Sequence, residues 1–196
     1  LPGIEFLEGN AADLTRFSDR SFELVLNMDG AISFAGSRAT KAIRETCRVA
    51  KEKVILTVSH RAQMAAAWAG ASLVKTGDLS AGAHAMIERG EWHPDQFPNN
   101  RALAEGLTQN YFGAFKAFLP AELTTILEDA GLQVMRCGGL GSLAGLCSPE
   151  ALTVVLKDTN RLETFLTIGE RFDKEILPEG PGTRLRAGLI AVARRL

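Results

Sequence analysis

Three short apolar runs punctuate residues 4–58: Ile4-Glu5-Phe6-Leu7-Glu8, Ser21-Phe22-Glu23-Leu24-Val25-Leu26-Asn27 and Val54-Ile55-Leu56-Thr57-Val58. Between the second and third, apolar or small side chains at Ala39, Ala42, Ile43, Thr46, Cys47 and Ala50 recur at spacings of three and four, the stripe of a helix with one buried face. Short strands separated by crossover helices belong to a sheet whose neighbouring strands run parallel. The pattern therefore predicts an α/β fold, with any ligand lying beyond the carboxyl ends of the strands. The helix is expected over Ser37–Lys51, with Ser37 as N-cap and Lys51 and Lys53 at the negative end of its dipole.

Composition narrows the classes. With 196 residues and 46% hydrophobic content the chain can bury one sizeable core, so a single domain is expected. Its net charge of -1 gives no overall attraction for nucleic acid or an anionic membrane. Cys47, Cys137 and Cys147 are an odd, widely spaced set, which argues against a disulfide framework or a Cys-x-x-Cys site and points to a reducing, cytoplasmic compartment. No run reaches the roughly 18 apolar residues that would span a bilayer. The three histidines, His60, His84 and His93, match no metal-ligand spacing, so no metal is expected.

The segments "EGNAADL", "FSDRSFELVLNMDGAISF" and "AIRETCRVAKEKVILTVSHR" follow one another here. Together they resemble the middle of class I S-adenosylmethionine-dependent methyltransferases of the small-molecule, type 11-like kind. The later "FLPAELTTILEDAGLQVMRCGGLG" is similar to that family's next helix and strand, and "AGLIAVARR" to its closing strand. The resemblance implies a Rossmann-like sheet, mostly parallel with an antiparallel last strand, and helices on both faces. It also implies S-adenosylmethionine as co-substrate and a small-molecule acceptor, with a homodimer left open. The family's glycine loop and preceding acidic strand have no counterpart, so residues 1–196 are expected to form an N-terminally incomplete domain. An inactive methyltransferase-like scaffold is the alternative, since nothing in the sequence would hold the methionine carboxylate.

Carried onto this chain, the family's cofactor positions fall on Asn10 and Ala11, beside the adenine, and on Asn27, Met28 and Asp29 at the exit of an expected central strand. Ser33 edges the substrate pocket. The long connection over residues 61–110 is the least family-like part and is expected to form a helical cap. Trp68, and Phe112 just beyond it, would line the acceptor pocket, with a satellite core as the plainer alternative. His60 and Tyr111 are candidate bases for a protonated acceptor.

Farther on, a helix over Leu119–Ala130 with Pro120 in its first turn and Gly131 as its stop precedes a strand at Leu132–Arg136. Gly139-Leu140-Gly141-Ser142-Leu143-Ala144 spells a dinucleotide fingerprint. Too few residues follow it to build the crossover helix which that fingerprint needs, so a loop at the sheet edge is expected instead. Helices over Glu150–Lys157 and Leu162–Ile176 and a final strand at Ala187–Ala193 complete the chain, with Arg194 and Arg195 expected to be solvated.

Overall fold

The computed structural model describes residues 3–28, 30–65, 86–92, 114–140, 143–144, 147–172 and 188–196. Four strands form the main sheet: β1 (Phe22–Asn27), β2 (Ala50–Ser59), β5 (Leu132–Leu140) and β6 (Gly188–Arg195), in the order β1-β2-β6-β5. β1 and β2 pair in parallel, whereas β6 pairs antiparallel with both β2 and β5. Three strands thus run one way and the last enters between two of them in the opposite sense, the mixed α/β arrangement expected. A two-stranded ribbon joins β3 (Glu91–Trp92) to β4 (Phe115–Lys116).

Helices α1 (Ala39–Val49) and α2 (Pro120–Asp129) cover one face of the sheet. Val54, Leu56 and Val58 of β2 stand directly opposite Ala193, Ala191 and Leu189 of β6, and all six are buried. They form one core with Ala42, Ile43 and Cys47 of α1 and with Leu123, Ile126 and Leu127 of α2. Alanines at 191 and 193 keep that layer thin, which lets the helices sit close. Burial holds the Cys47 thiol up at about 12, and all three cysteines are free. Helices α3 (Pro149–Leu156) and α4 (Thr159–Arg171) are capped by the side chains of Ser148 and Asp158.

Several expectations change. Residues 4–8 are exposed and form no strand; their alternation is right for one, but no described strand pairs with them, and an unpaired segment has no ladder to join. Among the described strands β1 stands at the sheet's edge and not centrally as expected, and Phe22, Leu24 and Leu26 are exposed. Ser37 does not cap α1: a 3-10 helix (Ser33–Arg38) runs directly into it, and Arg38 takes the cap position without a side-chain bond. Lys51 and Lys53 belong to β2. The last carbonyls of α1 are met instead by Arg195, whose Nη2 donates to Cys47 O at 2.6 Å and Nε to Ala50 O at 3.3 Å. Arg195 is therefore not simply solvated.

β5 extends through Gly139, which pairs with Leu189 of antiparallel β6. A fingerprint loop would need a parallel successor, so the strand directions exclude it. Glu91 and Trp92, within the expected helical cap, form the short strand β3. Of the expected cap, residues 61–65 and 86–89 are helical, and most of the remainder lies outside the described residues. Met86, Phe115 and Ala117 make a small second core with Met64 and Ala65.

Two ties position the start of the chain against this frame. Arg48 of α1 binds Glu45, Asp19, Phe17 O and Leu14 O, while Glu45 accepts the Leu14 N–H at 2.8 Å. The Arg48 guanidinium holds the Glu45 carboxyl below its ordinary value of 4.5. A carboxylate depressed in this way stabilises the fold above its unfolded value, and that contribution disappears as pH falls through the folded one. Melting temperature should accordingly drop on acidification below about pH 4.5, and Glu45→Gln should show a shallower drop; an unchanged profile would mean that the clamp carries no linkage.

The second tie is a close approach at Gly36, whose φ of 57° lies in the left-handed region and whose missing Cβ would stand 2.7 Å from Ala114 Cβ. Gly36→Ala should lower the urea midpoint by the equivalent of about 1–3 kcal/mol. Gly9→Ala, with open space around the added methyl, should stay within about 0.5 kcal/mol.

Candidate functional site

The carboxyl ends of β1 and β2 lie side by side, with Asn27 paired to Leu56 and Ser59 closing β2. At this end of the sheet the sequence turns polar. The Asn27 side chain faces α1, donating from Nδ2 to Thr46 Oγ1 at 3.0 Å. Thr46 in turn donates to Ala42 O, so a short chain of bonds fixes the strand exit to the helix. Met28 beyond it is exposed. Asp29 lies outside the described residues.

Asn10 is exposed, and its Oδ1 accepts the Ala12 N–H at 2.9 Å while its carbonyl accepts from Asp13. This Asx turn is held firmly: Ala12 is in the core and Ala11 packs against it. The Ala11 N–H makes no hydrogen bond among the described residues, and Oδ1 keeps a second lone pair. One acceptor and one donor therefore sit on neighbouring residues of a rigid turn.

Ser33, expected at the pocket edge, is fully buried, and its Oγ accepts the Ser59 N–H at 2.9 Å. It completes the end of β2 from the 3-10 helix. His60 is 1% exposed and takes the Ala62 N–H on Nδ1 at 3.1 Å. Tyr111, Phe112 and Trp68 lie outside the described residues.

Residues 117–118 run alongside the end of β2. Phe118 N–H donates to Ser59 O and Arg61 N–H to Phe118 O, both at 2.9 Å, and Phe34 meets Phe115 edge to face at 5.5 Å. Here the structure gathers a charged group that sequence inspection did not single out. Arg61 pairs with Glu122, and Lys116 lies 3.3 Å from Glu122 and 3.4 Å from Glu91. Lys116 Nζ also donates to Arg89 O at 2.9 Å. Gly90 makes this possible: its φ is +68°, and a Cβ there would meet Ala117 O at 2.0 Å and Arg61 Nε at 2.7 Å. The partners come from three distant parts of the chain, a relation with no local signal.

No cluster of three metal-ligating side chains occurs among the described residues, and no described helix is long and apolar enough to cross a membrane. Two clefts formed by described residues open at the opposite, amino end of β2.

No family model and no curated protein matches this chain. Solved structures do. A SAM-dependent methyltransferase from Methanosarcina mazei is 14% identical, with a TM-score of 0.46 over 96% of this chain and 65% of its own. A methyltransferase of putative assignment from Bacillus halodurans C-125 is 12% identical, with a TM-score of 0.45 over 98% and 78%. The [4+2]-cyclase SpnF is 15% identical, with a TM-score of 0.44 over 95% and 54%. The chain spans less than two thirds of the length of the first structures it matches. These are likenesses to what those proteins are built like, at an identity that specifies no residue's role.

Proposed function

We propose that the protein is a methyltransferase that uses S-adenosylmethionine and methylates a small-molecule acceptor. The observation that carries this reading is the turn at Asn10–Ala12, rigidly docked on the core with one acceptor and one donor unspent toward an adenine edge. When bound, the cofactor supplies an electrophilic methyl group on a sulfonium, whose carbon–sulfur bond breaks as the acceptor's lone pair forms the new one. The protein's work is then to align donor and acceptor and to exclude water.

In this reading Asn10 and Ala11 hold the adenine, and the exit of β1 at Asn27, Met28 and Asp29 edges the methionine part. The turn at Asn10–Ala12 suits the adenine end, and no residue is assigned to the methionine carboxylate. Ser33 keeps the end of β2 in place at the pocket edge, and His60 stands at the same strand end. Trp68, Tyr111 and Phe112 remain the proposed acceptor side. The second reading, a scaffold without catalysis, is favoured by the burial of His60 and the commitment of Ser33 to the backbone of β2.

Calorimetric titration of the full-length polypeptide with S-adenosylhomocysteine separates the two. Saturable micromolar binding, about -8 kcal/mol at a Kd of 1 μM, is expected. Asn10→Ala should weaken it about tenfold, roughly 1.4 kcal/mol, whereas Asn10→Asp, which keeps the acceptor oxygen and the turn, should bind like the parent. Absence of saturable binding by the full-length polypeptide would leave the scaffold reading standing.

A further inference from the structure

The amino end of β2 and the carboxyl end of β6 form a cleft of about 580 Å³ lined by Arg20, Lys51, Glu52, Lys53, Arg194 and Arg195, with Leu196 at its edge. Among side chains that is five cations against one carboxylate, in a chain whose net charge is -1. These cations do different things. Arg195 is engaged with the last carbonyls of α1. Arg20, Lys51 and Lys53 make no ion pair among the described residues.

Two details set this cleft apart from a solvated basic surface. Lys53 and Arg194 stand directly opposite each other on β2 and β6, where like charges repel and cost stability. Arg194 is also oriented: its Nε donates to Gln133 Oε1 at 2.9 Å, a neutral partner that fixes the guanidinium without neutralising it. Arg20 adds a second guanidinium from a residue with φ of 55° whose N–H is bound to Arg48 O at 2.9 Å. One oriented guanidinium fork, the second guanidinium of Arg20 and two lysine point charges suit the tetrahedral oxygens of phosphate groups.

We infer that this cleft is a binding site for a small ligand carrying several linked phosphate groups, placed at the opposite end of the strands from the candidate methyl-transfer site. A bridging oligophosphate lies between Lys53 and Arg194 and converts their repulsion into two attractions. Its volume is within the range of ordinary small-ligand sites. The inference does not depend on the methyltransferase reading.

The test is calorimetric titration of the full-length protein with inorganic tripolyphosphate, with orthophosphate as the comparison, at low salt and at about 0.15 M. Saturable tripolyphosphate binding on the order of tenfold tighter than orthophosphate is expected, weakening as salt rises. Lys53→Gln and Arg194→Gln should each reduce it on the order of tenfold. Gln133→Glu, which retains every cation but gives Arg194 a carboxylate, should reduce it similarly. In the ligand-free protein Lys53→Gln should raise Tm, which also shows that the variant folds. No binding, equal affinity for orthophosphate, or affinity unchanged in all three variants would overturn the assignment.

Discussion

The insertion of β6 between β2 and β5 is the constraint on which the rest of the structure depends. β1, β2 and α1 come from one half of the chain, α2 and β5 from the other, and among the described strands it is β6 whose ladders join them, helped by the single bridge of Phe118 to the end of β2. Leu189, Ala191 and Ala193 are fully buried in that seam, so the strand supplies both the backbone bonds and the floor on which both helices rest. Arg195 at its end then closes the carbonyls of α1. A single eight-residue segment thereby sets the spacing of the strand ends at one side of the sheet and the charge density at the other.

Much of this arrangement was legible in the sequence because it is written in local periodicity. The stripe from Ala39 to Cys47, the proline opening α2 and the apolar run of β6 each point to an element that is present. What was not legible depends on partners far away in the chain. Residues 4–8 have a strand's alternation, yet strand formation needs a neighbour that alternation cannot supply. The glycine run after Arg136 reads as a loop by composition, but β6 offers it a ladder and it continues as strand. Of the candidate site, its location at the strand ends followed from topology, whereas the conduct of Ser33 and His60 did not. Ser33 accepts from the Ser59 N–H, a partner that only the fold brings into position, and His60 is buried with its Nδ1 on the Ala62 N–H two residues on.

The two ends of the sheet differ in how they manage charge. At the carboxyl end Arg61, Lys116, Glu122 and Glu91 neutralise one another within a partly buried group. At the amino end of β2, Arg48 and Arg195 are consumed by carbonyls and carboxylates while their neighbours stay uncompensated. A formal charge near zero for the whole chain thus conceals an uneven surface. Average composition reports the sum, and recognition responds to the distribution.

The position of β6 along the chain has a consequence for how the protein is made. Translation at about 5–20 residues per second delivers β5 some seconds before the seam strand, because roughly fifty residues separate Leu140 from Gly188. During that interval the nascent chain carries two unjoined sheet edges, one on β2 and one on β5, each able to recruit a foreign strand. A chain lacking β6 would thus present two orphaned halves rather than a slightly shortened protein, and quality control would meet it as a misfolding substrate.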